Sequence, residues 1–496
     1  MLPGRSGGDD TIRDAERVKQ STEGGHRVEP TEIAYLSATE LIAAYRTRTL
    51  SPVEVAQATL DRIERIDPTL NAFVTVTGDL AVEQARAAEA AYAEGSAGAL
   101  AGVPLSIKDI TVTAGIRTTF GSHGRAGYVP TEDAPLVERA RDAGAVMVGK
   151  TTTPEFGWKG ETSSPLLGTT RNPWDLARTP GGSSGGAAAA VAAGLGPLAH
   201  GTDGAGSIRI PASFSGVFGV KPSYGLIPVY PASAVGDLAH WGPITRTVAD
   251  AALFMDVTAH ADARDRTSWG GPGGYRAALD APSPPDLRVA WSADLGYAAV
   301  EPEVARVAEQ AAVALADALG VELVRDHPAL DDPWPIEDAI WSAGMAALYE
   351  DSLVAFREQL DPGLLAVIAF GRSLSAVDLA TAARRRNVYC DGWRRFMERY
   401  DVVLTPTLPC IAFPVGQDQP HAVAGRDVGY LSWTALTYPF NLTGQPAATV
   451  PCGFDDQGLP VGLQIVGRWR DDATVLRVAA AFERAMPWRQ HRPPVG

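Results

Sequence analysis

Apolar residues recur every three to four positions through 37–66, SATELIAAYRTRTLSPVEVAQATLDRIERI, which predicts two amphipathic helices. Ser51 is a natural N-cap for the second, with Pro52 at its first position and Glu54 close behind. The stretch DPTLNAFVTV reads as a loop entering a strand, and a further helix covers roughly 79–94. AGVPLSIKDI places a short apolar strand just before Lys108 and Asp109, and APLVERARDAGAVMVGKT reads as helix, Gly stop and apolar strand. GAAAAVAAGLG is a helix of small residues able to pack closely, and LGPLAHGTD a short strand and turn.

Further along, 262–287 is loop-like, rich in Gly, Pro and Ser. DLRVAWSADLG restores a strand, EPEVARVAEQAAVALADALG is a strong helix, and VELVRD follows it. Residues 332–400 are mainly helical. YDVVLTPTLP is a buried strand, GQPAATVPCGFDDQGLPVGLQIVG a hairpin of two apolar strands, and 471–485 the last helix. Strands alternating with helices specify an α/β architecture. No repeat or low-complexity linker divides the chain, so 31–496 is expected to form one unit, with 262–400 peripheral and variable. Residues 1–30, charged and Gly-rich without an apolar signal core, are expected to be a disordered leader.

Charge narrows the partners. A net charge of −15 over 496 residues disfavours nucleic acid and anionic membrane surfaces, and no apolar run is long enough to span a bilayer. Cys390, Cys410 and Cys452 have neither metal-ligand spacing nor an even count, so they read as buried free thiols in a reducing cytoplasm. Of 43 basic residues only Lys19, Lys108, Lys150, Lys159 and Lys221 are lysines. An arginine stays protonated, whereas a desolvated lysine can become a neutral base, so each lysine is a candidate for chemistry.

TPGGSSGG, residues 179–186, leaves several chemistries open. Gly181-x-Ser183-x-Gly185 satisfies the pattern of a hydrolase nucleophile elbow, with His200, His240, His260, His327, His421 and His491 formally available as the base. A phosphate loop would need a Lys-Ser/Thr ending, which is missing. Neither reading accounts for two other Gly/Pro-framed blocks, AGVPLSIKD with Lys108 and GTDGAGSIRIPAS with Ser207. Taken together with GKTTTPEFGW, GTTRNPWD, GVFGVKPSYGLIP, DVVLTPTLP and FNLTGQPAATVP, the three blocks make most of 35–488 resemble the amidase signature family, including its xenobiotic and cyclic-dimer amide hydrolases.

That resemblance implies an amidase signature fold, a mixed central β-sheet with helices on both faces. It also implies a Ser–cis-Ser–Lys triad: Ser207 as nucleophile, Ser183 as bridging serine after a cis Gly182–Ser183 peptide, and Lys108 as base. A serine hydroxyl needs such a base to attack at neutral pH, and lysine serves only when uncharged. Backbone N–H groups of Gly204, Ala205, Gly206 and Ser207 would form the oxyanion hole. Many relatives carry Gly where this chain has Ala205. Asp203 and Arg209 would pair to hold that loop, and Ser184 would either join the cluster or cap the alanine-rich helix.

Lys150 and Lys221 are expected to be structural, and Lys159 a solvated surface charge. Gly157 and Trp158 would border the acyl pocket. The expected reaction is hydrolysis of a small apolar or aryl amide, linear or cyclic, by water through an acyl-enzyme, without metal or cofactor; esters and carbamates use the same chemistry. The alternative is the glutaminase (A) subunit of a tRNA-dependent amidotransferase. Such subunits commonly carry Gln after the Ser-Ile-Arg element, where this chain has Ile210 and Pro211. A fatty-acid amide hydrolase would need a membrane anchor. The resemblance is compatible with a homodimer.

Overall fold

Val146, Met147 and Val148 follow one another on one strand, yet their side chains enter different cores. Met147 packs with Leu105 and Ile107, whereas Val146 and Val148 pack with Ala189 and Ala190. Side chains alternate across a strand, so a run that is apolar at every position belongs to a strand covered on both faces. The same alternation recurs at Val402, Val403 and Leu404 and at Val289, Ala290 and Trp291. In the computed structural model, which describes residues 29–281 and 286–495, these strands belong to one eleven-stranded sheet.

In chain order its strands are β1 Phe73–Val76, β2 Pro104–Lys108, β3 Val146–Thr151, β4 Leu198–Asp203, β5 Phe218–Lys221, β6 His240–Thr245, β7 Val289–Trp291, β8 Leu323–Arg325, β9 Val402–Pro406, β10 Ala447–Phe454 and β11 Pro460–Gly467. They lie side by side as β1-β3-β2-β4-β6-β5-β10-β11-β9-β7-β8. β2 runs parallel to β3 and β4, and β7 parallel to β8 and β9; the other pairs are antiparallel. Helices Pro135–Asp142, Val248–Thr258, Pro302–Leu319 and Asp472–Ala485 cover one face, and Pro52–Leu70, Gly78–Glu94, Gly185–Ala192 and Arg209–Ser215 pack on the other. This is a mixed-sheet α/β fold with helices on both faces.

Several boundaries differ from the pattern. Asp67-Pro68-Thr69-Leu70 is the last turn of the helix from Pro52, not a loop. The chain turns only at Asn71, which is left-handed, while the Asp67 carboxylate accepts from Ala72 N and Phe73 N. β5 and β6, near the middle of the sheet, escaped the pattern; β6 reads HWGPIT, and its Gly and Pro resemble turn residues. Residues 262–400 are less peripheral than expected. They supply β7 and the edge strand β8, and the helix Trp334–Ser352, whose Trp341 and Met345 reach the cavity described below. The leader expected over 1–30 lies outside the described residues except for its end, where a short helix, Pro30–Ile33, begins. Cys410 and Cys452 are buried, but Cys390 is only partly so. Among the described residues no single helix is long and apolar enough to cross a membrane.

Candidate active site

Parallel pairing of β2 with β4 ends both strands at the same sheet edge, and it is there that the candidate chemistry gathers. Lys108 closes β2, Thr202 and Asp203 close β4, and Ser207 lies in the turn before helix Arg209–Ser215. Ser183 and Ser184 immediately precede helix Gly185–Ala192, and the Gly182–Ser183 peptide is cis. At Gly182 any Cβ would lie 2.4 Å from the Glu161 carbonyl oxygen, so this approach demands glycine.

Lys108 is fully buried. Its Nζ lies 2.7 Å from Ser183 Oγ, 2.9 Å from Ser184 Oγ and 2.8 Å from Thr202 Oγ1. Burial drives its amine well below the ordinary lysine value, against a smaller opposite pull from Asp203. A neutral amine has two N–H groups and one lone pair. Ser184 donates its hydroxyl proton to the Thr202 carbonyl at 3.1 Å and so only accepts from Lys108. The lone pair is left for Ser183 or Thr202. Ser184 occupies the N-cap position but makes no capping bond, so it belongs to the cluster. Thr202 was not anticipated, although it stands inside the GTDGAGS block.

Asp203 and Arg209 form a buried pair, with side chains fully out of solvent, beneath the Ser207 turn. The Asp203 carboxylate accepts from Gly206 N, Ile208 N, Arg209 Nε and Nη2, and Asn441 Nδ2. Arg209 also donates to the Thr437 carbonyl, Gln464 Oε1 and Asn441 Oδ1, so all five of its N–H groups have acceptors. Burial alone would raise the Asp203 carboxyl, but Arg209, with Lys221 and Asn441, holds it far below the usual carboxylate range.

The expected oxyanion donors need one correction. Gly206 N–H points at Asp203 Oδ1, 2.7 Å away, because the preceding carbonyl is held by Thr437 Oγ1 at 2.7 Å on the opposite side. Among the described residues no protein acceptor takes the N–H of Gly204, Ala205 or Ser207. Gly206 instead has φ +128°, and a Cβ there would meet Thr437 Oγ1 at 2.4 Å. The Ala205 side chain is 2% exposed and packs in the core cluster of Trp341 and Met345.

Ser183 and Ser207 open on a cavity of about 260 Å³ walled by Ile110, Phe156, Val235, Trp341 and Met345. Ser207 Oγ has no protein hydrogen-bond partner among the described residues. Its carbonyl accepts from Ser184 N at 3.2 Å, which ties the two serine turns together. Gly157 lines the cavity; at φ +73° a Cβ would stand 3.1 Å from Ser183 Oγ. Trp158 does not line it. Its ring is 2% exposed and stacks on Tyr430 with centroids 5.6 Å apart, because the left-handed Phe156 and Gly157 turn it to the other side of the wall. A larger surface groove of about 820 Å³, beside Cys390 and Trp469, contains none of these groups.

Other lysines resolve differently. Lys150 donates to the Thr111 carbonyl, Thr113 and Thr118, and Lys221 to the Pro222 and Gln445 carbonyls, so both tie loops to the sheet. Lys159 is not a solvated charge: its side chain is 3% exposed and ion-paired with Glu161, Asp361 and Asp418. Carboxylates brought in from three segments override the local surface pattern. No histidine hydrogen-bonds Ser183 or Ser207 among the described residues, which leaves the nucleophile-elbow arrangement without its base.

The amidase family profile matches residues 54–476. An acylamidase of Rhodococcus erythropolis is 42% identical over 474 residues, covering 92% of this chain and 97% of that protein. The A subunit of the glutamyl-tRNA(Gln) amidotransferase of Moorella thermoacetica is 38% identical over 492 residues, covering 94% of this chain and 99% of that one. The crystal structure of a bacterial aryl acylamidase of the amidase signature family superposes with a TM-score of 0.86 at 32% identity, over 92% of this chain and 97% of that chain. With a family match spanning most of its length and a buried lysine bonded to the serine of its Gly-Ser loop, the chain belongs to the amidase signature family and is an amide hydrolase.

Proposed function

We propose that the chain hydrolyses the C–N bond of small apolar or aryl carboxylic amides through an acyl-enzyme on Ser207. The observation that carries this reading is the buried Lys108 amine, whose charged form burial disfavours, 2.7 Å from Ser183 Oγ beside the same cavity as Ser207. Ser207 Oγ attacks the substrate carbonyl carbon as its proton passes to Ser183, whose own proton moves to Lys108. The N–H groups of Gly204, Ala205 and Ser207 face the developing oxyanion. Returning the proton to the amine nitrogen breaks the C–N bond, and water then attacks the Ser207 ester with the relay run again.

Apolar walls around the serines favour an apolar acyl or amine group, and esters and carbamates fit the same acyl-enzyme chemistry. The glutaminase alternative draws on the 38% identity to the A subunit of a glutamyl-tRNA(Gln) amidotransferase. The purified chain alone is expected to release amine from anilides, linear amides, nylon oligomers or carbamates. Mass spectrometry is expected to find an acyl adduct on the wild-type chain that Ser207→Ala lacks. An adduct persisting in Ser207→Ala would overturn the nucleophile, and glutamine turnover only beside partner subunits would favour the alternative.

A further inference from the structure

We infer that Arg125 is a specificity-determining residue that receives a carboxylate borne by the substrate away from the scissile amide. This rests on the acyl-enzyme reading above. The cavity over Ser183 and Ser207 is lined by apolar side chains, backbone and hydroxyls, and carries two charged residues, Asp203 and Arg125. Asp203 is consumed by Arg209 and Asn441. Arg125 has neither an ion pair nor a side-chain hydrogen bond among the described residues. The contact that orients it is the ring of Tyr128, 5.4 Å below its guanidinium carbon. Its five N–H donors therefore meet no protein acceptor at the edge of an apolar chamber, and a guanidinium fork matches a carboxylate.

The surrounding chain holds that guanidinium in place. Arg125 ends a single 3₁₀ turn, His123–Arg125, capped by Ser122 Oγ, which donates in turn to Glu155 Oε1 at 2.5 Å. Tyr128 N donates back to the Arg125 carbonyl and Thr118 N to the Tyr128 carbonyl, closing the loop. Phe120 packs between Tyr128 and Phe156, linking the cation's platform to the cavity wall. A Cβ at Gly124 would collide with the Phe356 ring at 2.8 Å, so the turn is also pinned from outside. On a chain of net charge −15, a cation placed so is a local site for an anion that the wider field repels.

Two pairs of anilides test this and locate the anion. 4-Acetamidobenzoate against acetanilide places the carboxylate on the amine side, and glutaric acid monoanilide against hexananilide places it on the acyl side. One carboxylate substrate is expected to have a lower KM than its neutral counterpart in the wild-type chain. Arg125→Gln should raise that KM about tenfold with kcat and both neutral anilides unchanged, and Arg125→Lys should recover part of the loss. Added salt should shrink the preference. Equal KM values for anionic and neutral partners in the wild type, or equal losses on both in Arg125→Gln, would overturn the assignment. Calorimetric binding of the same four anilides to Ser207→Ala, with and without Arg125→Gln, makes the comparison without turnover. Failure of the acyl-enzyme reading and failure of this inference are thus separable.

Discussion

Ser207 lies between a floor and a roof of unlike construction. Below it, Arg209 has an acceptor for every N–H and Asp203 receives five donors, while the Lys108 amine is shared among three hydroxyls. Above it, the helix Trp334–Ser352 contributes the rings and thioether of Trp341 and Met345. Both carboxyl oxygens of Glu337 and Nε1 of Trp341 on that helix are buried without a protein partner among the described residues. Directional bonds fix where each atom of the floor stands, so a single deletion leaves a buried group unsatisfied. The roof supplies shape and excludes water, and its packing tolerates exchange of like volumes.

The contrast is sharpest at Lys108. Lys108→Met keeps the volume and removes the proposed proton acceptor, and kcat/KM on a neutral anilide is expected to fall by about 10³–10⁴ while the melting curve stays cooperative. Because burial depresses the Lys108 value, the amine is neutral above that lowered value and charged below it. Wild-type kcat/KM therefore rises with pH through that value and levels off, a limb absent from the residual activity of Lys108→Met. An unchanged pH profile would assign the base elsewhere.

Next in size is Arg209→Met, which strands the Asp203 charge in the interior. Removing one partner of a buried pair costs about 3–5 kcal/mol, read as a fall in urea midpoint. In the wild type the Asp203 carboxyl is held below its ordinary value of 3.8, so the pair stabilises the fold above that pH and its contribution fades as acid protonates the carboxylate. Without Arg209, burial dominates, and the variant should instead gain stability on mild acidification. A loss under 1 kcal/mol would place the floor on the same footing as the roof.

Much of the floor was legible because its chemistry is local. Lys108, Ser183 and Ser207 each stand in a Gly/Pro-framed block, and Asp203 and Arg209 flank Ser207 within one of those blocks. The apolar runs of β3, β7 and β9 likewise announced strands, that of β9 a buried one. What escaped depends on partners far along the chain. Gly206 was expected to donate to an oxyanion, but Thr437, over 200 residues later, turns that peptide toward Asp203. Lys159 looked solvated until Asp361 and Asp418 closed on it. Trp341 carried no signal, since an apolar residue in a helix reads the same whether it faces a core or a substrate.

The smallest effect expected distinguishes a roof that is only packing from one that is electrostatically built. Burial, opposed chiefly by Arg386, raises the Glu337 carboxyl well above its usual range. The folded chain thus keeps a proton that the unfolded chain releases above about pH 4.3. Stability declines as pH rises from there, by up to ~1.4 kcal/mol per pH unit, until the buried group itself ionises. Glu337→Gln removes that proton from both states. Its stability relative to wild type should therefore improve steadily from pH 5 to 7 in urea melts, with activity on neutral anilides changed less than about twofold, since Glu337 is no member of the proposed relay. Parallel stability curves would mean that Glu337 is ionised and compensated, and the roof would then share the floor's dependence on paired charge.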